Sequence, residues 1–258
     1  MAQREKSKVL EQGNIYFFYR PRVAHEGEEP VAESFDDVER FYLVLSPEGK
    51  DIHRLILIGQ KKLPEIEDGG EKNWGFVAKV AQKPEELEDE LGEETYETKT
   101  RGERIRPAAR PAGEGVYALV QHGDHTHLAY VLELPDDLGE VQKALNIEDR
   151  GSYIFSVKNP EKGSPPSAGL NEEEKADLPE NLQKKFHNRR FVAVSPPEFL
   201  DHEKTEILLI GAKEKPNQEL GIDLQPEEED EHSAEIFRDL HLRKSEHPLK
   251  PLFQGEWE

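Results

Sequence analysis

Three histidines crowd one short stretch, His122-Gly123-Asp124-His125-Thr126-His127, in a chain with only ten. The motif lies between two strand-like segments, Tyr117-Ala118-Leu119-Val120 and Leu128-Ala129-Tyr130-Val131. Gly123-Asp124 suits a two-residue hairpin loop, because glycine takes the positive φ such a loop needs at its first position. That loop sets His122 opposite His125, with Cβ atoms about 5 Å apart. His127, two residues on, points to the same face as His125. Neutral imidazoles converging on one rigid hairpin suit zinc, and a catalytic zinc takes three protein ligands and keeps a position open. Asp124 is then a fourth ligand, an acceptor for an imidazole N–H, or only the turn residue. The competing reading is a polar hairpin tip or substrate-binding site without metal. A one-residue slip of register would take His122 off the face.

A second constellation is basic. Residues 99–110 hold Lys99, Arg101, Arg104, Arg106 and Arg110, a local exception in an acidic chain. Arginine suits bidentate contact with phosphate or carboxylate, so Arg101, Arg104, Arg106 and Arg110 are candidate anion-binding residues. Arg104 and Arg106, two apart, share one face of a strand. The segment leads into the strand that carries His122, which could bring arginines and histidines together. The competing use is surface pairing with the acidic residues 85–94 just before them.

His122-x-x-His125-x-His127 with its Gly-Asp insert resembles the zinc-binding histidine-triad motif of streptococcal surface proteins. The likeness covers six residues. It implies zinc at these three histidines and nothing about fold or activity. Those proteins are exported and carry repeated copies of the motif; this sequence has one copy. The chain as a whole also looks similar to uncharacterised bacterial proteins, a similarity that carries no function.

The elements that must position these residues read mainly as strands. Apolar or aromatic runs at 15–19, 40–45, 54–59, 74–80, 116–121, 126–134, 152–157, 191–194 and 207–211 read as buried strands. Helical spacing appears at 83–91, at 136–146 and before Phe186. The expectation is an α+β protein, mainly antiparallel β-sheet with short helices. Residues 1–12 form a tail, 13–223 a globular domain and 224–258 an acidic linker with a C-terminal tail. Residues 40–47 resemble 190–196, 55–61 resemble 207–213, and 13–17 resemble 151–155. A duplication would divide the domain into halves 13–110 and 111–223, two pseudo-repeated β-rich lobes. The alternative is that buried hairpins draw on the same few residues.

Charge narrows the function. The 258 residues carry 34 basic and 55 acidic side chains, net −21, and no cysteine. A phosphate backbone would be repelled by most of such a surface, so no nucleic acid is expected. No apolar run approaches the roughly 20 residues that span a bilayer. No apolar segment follows the charged start that would make a secretory leader. A cytoplasmic location is therefore expected, without membrane contact. Thiolate metal sites, disulfides and a cysteine nucleophile are excluded. Phosphate-loop, dinucleotide and nucleophile-elbow glycine motifs are missing from the sequence. The reading that follows is a non-catalytic binding or interaction protein with a His-hairpin metal site. Its partner is a protein or a small anionic ligand. The alternative is a zinc-dependent hydrolase, with zinc activating water and the arginines holding a phosphate or carboxylate substrate.

Overall fold

The structure is a computed structural model that describes residues 7–24, 31–66, 70–98, 102–163, 170, 174–213, 220–230, 233–245 and 247–258. Its strands are β1 (Lys8–Pro21), β2 (Val38–Pro47), β3 (His53–Ile58), β4 (Lys72–Ala81), β5 (Glu94–Thr98), β6 (Gly102–Arg106), β7 (Arg110–His122), β8 (His125–Leu134), β9 (Arg150–Lys158), β10 (Phe191–Ala193) and β11 (Glu206–Lys213). The short helices are α1 (Glu88–Leu91), α2 (Glu140–Leu145), α3 (Glu180–Gln183), α4 (Glu235–Asp239) and α5 (Lys250–Gln254).

Eight strands pair antiparallel in the order β1-β2-β3-β4-β11-β9-β8-β7, and β7 returns to β1 to close a barrel. Strand β10 adds to the edge of β9 where β8 has left it, and β5–β6 is a separate hairpin. The expected α+β arrangement with two lobes is therefore wrong: 42% of the chain is strand against 19% helix, and there is one closed barrel. The physical reason is edge pairing. The sheet β1–β4 and the sheet built from β7, β8, β9 and β11 would each leave two open edges. The antiparallel pairings β1–β7 and β4–β11 remove all four. The similar sequence segments do not hold equivalent places. Strand β2 is in the wall between β1 and β3, whereas β10 lies beside the barrel.

Alternation fills the lumen. Ile15, Phe17 and Tyr19 of β1, Phe41 and Leu43 of β2, Tyr117 and Leu119 of β7, Tyr130 of β8 and Phe155 of β9 belong to one buried cluster. An eight-stranded barrel is just wide enough for side chains to fill. One end is closed by α2 through Val141 and Leu145, the other by the 3-10 turn Pro197–Asp201 through Phe199 and Leu200. The opposite parity is also buried. Tyr16, Phe18, Tyr42, Val44 and Leu55 lie on the outside under Ala234, Ile236, Phe237, Leu240 and Leu252. Ala118, Val120, Ala129 and Val131 lie under Leu220 and Leu224. The segment after β11 thus wraps the barrel. This double covering explains why the strands read as continuous apolar runs rather than as alternating ones.

Candidate functional site

The hairpin forms with the register its residues demand. Strands β7 and β8 meet at Gly123-Asp124, Gly123 has φ 61°, and His122 lies opposite His125. All three histidines share the outer face with Val120 and Ala129. The rings of His122 and His127 stand edge to face at 6.4 Å, and His127 is buried. His125 is exposed and its Nε2 lies 3.2 Å from Asp124 Oδ1, while Ser7 Oγ lies 3.2 Å from His122 Nδ1. Asp124 thus contacts an imidazole, as a turn residue or a second-layer acceptor would.

The arginines take separate places. Arg110 begins β7 and His122 ends it, so about 40 Å of extended chain separates them. Arg110 is buried and grips the Glu258 carboxylate with Nε and Nη2, the second contact at 2.9 Å. Arg106 pairs with Glu94, the surface pairing that the neighbouring acidic segment offers. Arg104 is buried in β6, and Arg101 lies outside the described residues.

Three features escape sequence reasoning. The first is a charge network inside one end of the lumen. Arg54 is fully buried and donates to both oxygens of Glu11 (2.5 and 3.0 Å) and through Nε to Asp201 (2.7 Å). Tyr117 Oη donates to Glu11 at 3.0 Å and Lys50 Nζ at 2.9 Å. Burial pushes the Glu11 carboxyl up, and the hydrogen bonds and charges of Arg54 and Lys50 outweigh it and hold the group below its ordinary range.

The second feature is a groove of about 850 Å³ lined by Glu88, Asp89, Gly92, Glu93, Glu94, Arg106 and Ser245. Its wall is α1 with the 3-10 turn Pro84–Leu87, where Pro84 suits the first position and Leu87 and Leu91 bury their side chains against the barrel. The buried guanidinium of Arg20 fixes the end of α1 by donating to the carbonyls of Glu90, Gly92 and Pro107.

The third is acidic and lies between the barrel wall and the wrapping segment. Among the described residues, Glu114, Glu133 and Glu229 are the one set of three His, Asp or Glu side chains whose ligand atoms all lie within 4.8 Å of one another. Glu114 and Glu133 are buried. Glu114 accepts the backbone N–H of Glu235 at 2.6 Å and of Ile236 at 3.1 Å; Glu133 accepts that of Glu227 at 2.7 Å. Burial, with the neighbouring Glu229, drives the Glu114 carboxyl well above its usual range. Burial, with the charges of Glu229 and Glu227 against the Glu227 N–H, brings Glu133 up to about 7. The spacing suits a hard cation in principle, and oxygens of Glu114 and Glu133 already accept backbone N–H groups. Its sequence signal is two glutamates inside strand runs, Gly113-Glu114-Gly115 and Leu132-Glu133-Leu134.

No protein-family model, no curated protein and no solved structure matches this chain. Among the described residues no helix is long and apolar enough to cross a membrane.

Proposed function

We propose that this is a non-catalytic binding protein whose groove at 88–94 takes a cationic segment of a protein partner. The observation that carries the reading is the groove itself. Four carboxylates line it, and the one arginine there is already paired with Glu94. The barrel lumen, by contrast, is filled by its own side chains. A concave surface of one sign focuses field and raises the encounter rate with an opposite charge. At net −21, the rest of the molecule adds long-range attraction for the same partner.

The test uses a short labelled oligo-lysine peptide as the probe. Glu88→Gln/Asp89→Asn/Glu93→Gln should weaken its binding at least tenfold. Neutralising three exposed carboxylates elsewhere, Asp149→Asn/Glu161→Gln/Glu180→Gln, should change only the salt-dependent on-rate. Equal losses in both triple variants would mean general attraction to an acidic surface and no groove site.

The second reading, zinc at the hairpin, rests on the shared outer face of the three histidines; their ring nitrogens do not all lie within 4.8 Å of one another, so zinc would have to draw the side chains together. Zinc titration of the protein beside His122→Ala/His125→Ala/His127→Ala tests it. A hydrolase built on this hairpin would need an anion-holding group other than Arg110, which ends the far side of β7.

A further inference from the structure

The wrapping segment crosses the outside of β7, β8 and β1 and meets carboxyl groups on every side. From β7 and β8 come Glu114 and Glu133, and from β1 come Tyr16 and Asn14. The segment itself brings Glu227, Glu229, Glu235, Arg238 and Asp239. Arg238 is two-thirds exposed and is committed to Glu235 and Asp239 on the solvent side; Lys244 lies over the Phe237 ring, His241 contacts Glu85, and His53 of β3 faces Asp239, all away from Glu114 and Glu133. Asn14 donates to Glu235 (2.6 Å) and Asp239 (3.1 Å), and Tyr16 Oη donates to Asp239 at 2.9 Å. Glu114, buried in the wall, therefore faces the half-buried Glu229, and its hydrogen-bond donors from the segment are the backbone N–H groups of Glu235 and Ile236. Burial and the neighbouring carboxylate both favour the protonated form of Glu114.

We propose that residues 227–230 and 233–242 belong to a proton-held strap: protons on the wall carboxyls Glu114 and Glu133 clasp it to the barrel, and their loss opens it. The directions of the shifts agree with this geometry. Both wall carboxyls hold protons more tightly when the strap is closed than an exposed glutamate would. Opening therefore releases protons at any pH between the open and closed values. The closed state is fully favoured below the ordinary carboxylate value of about 4.5 and is lost as pH rises through the raised values. What opening uncovers is the apolar outer face at Tyr16, Phe18, Tyr42, Val44 and Leu55. A second clasp lies at the C-terminal end. Trp257 stacks edge to face on Tyr19 at 5.3 Å and Arg110 holds Glu258. The strap thus opens as a loop tethered at both ends, one through β11 and the other through Trp257 and Glu258.

The experiment is amide hydrogen exchange of the full chain in EDTA-containing buffer from pH 5 to 9, with each rate divided by the intrinsic rate at that pH. Protection of the Glu235, Ile236 and Leu240 amides should fall at least tenfold between pH 5 and 7 and keep falling above it. The amides that pair β1 with β7 report the fold and should hold. In Glu114→Gln/Glu133→Gln, which keeps the shape and an acceptor oxygen, strap protection should become independent of pH. Two outcomes overturn the proposal: strap protection that is flat with pH in the unmodified protein, or the same slope in the double variant. Should the double variant lose protection at β1–β7, Glu133→Gln alone decides, because it must make the fall between pH 5 and 7 shallower than in the unmodified protein, with the part due to Glu114 remaining.

Discussion

Arg54 ties strand β3 to β1 and to the turn Pro197–Asp201 at one end of the lumen. It is fully buried and makes three charge-assisted contacts, two with Glu11 and one with Asp201. Arg54→Met keeps most of the volume and removes the charge. Glu11, with only 4% of its side chain exposed, keeps Lys50 and Tyr117 as partners, whereas Asp201 is 26% exposed and can be solvated. Removing one partner of a buried pair costs about 3–5 kcal/mol, and the surviving Lys50 contact places this case at the low end, about 3 kcal/mol. Glu11→Gln leaves a buried guanidinium with half of its partners and should cost a similar amount, about 3 kcal/mol. Arg54→Met/Glu11→Leu removes both charges and strands only the Tyr117 hydroxyl, at about 1–3 kcal/mol. The double variant should therefore be no less stable than either single one. Urea unfolding at pH 7 with shared m-values measures all four proteins. A double variant destabilised by the sum of the singles would refute the reasoning, because it would show that the charges act independently.

Further outcomes follow from the same geometry. Arg110→Ala should destabilise the protein by about 2 kcal/mol, with truncation before Trp257 costing no less, measured by urea midpoint. Gly139→Ala should be among the most damaging small substitutions, because a Cβ there would lie 2.2 Å from the Gly255 carbonyl oxygen; thermal melting checks it. Gly123→Ala should cost about 1 kcal/mol, since the hairpin turn holds φ at 61°. In Glu133→Gln, stability should fall less between pH 5 and 7 than in the unmodified protein, because the raised Glu133 carboxyl contributes stability below about 4.5 that is lost as pH approaches 7. Urea midpoints across that range give the slope directly.

The strands were legible because burial leaves a composition signal that does not depend on topology. Residues 15–19 are fully buried, and five apolar or aromatic residues in a row announce that. The closing of the barrel was not legible. It depends on Lys8–Tyr19 meeting Arg110–Gln121 across a hundred residues, and no local pattern encodes which edges meet. The hairpin register at His122 and His125 was readable because Gly-Asp dictates a loop length and the loop dictates the pairing. The pairing of Arg106 with Glu94 was one of the two uses the sequence offered; the distance between Arg110 and the histidines was not legible, because nearness along a sequence says nothing about the far end of a strand. Arg110 and His122 belong to one element, and that element is itself what holds them apart. Glu11 and Arg54 were invisible for the opposite reason: nothing in the sequence joins residues 43 positions apart.

The two buried charge clusters lie on opposite sides of the same wall and respond to protons with opposite sign. Inside, Glu11 meets a guanidinium and an ammonium, so its ionised form is the stable one and acid weakens that end of the barrel. Outside, Glu114 and Glu133 meet other carboxyls and backbone N–H groups, so their protonated forms are stable and base weakens the strap. The difference comes from the neighbours and not from burial, which acts on Glu11, Glu114 and Glu133 alike. The lumen end is held shut by Arg54 of β3, which is fixed by Glu11 of β1 and by Asp201 of the turn Pro197–Asp201. Among the described residues, no such guanidinium sets the charge of Glu114 or Glu133. Ser245, three residues beyond the strap, helps line the acidic groove. A seam of carboxyls that stays closed only while protonated is a poor way to fasten a segment permanently and a direct way to make its closure depend on pH.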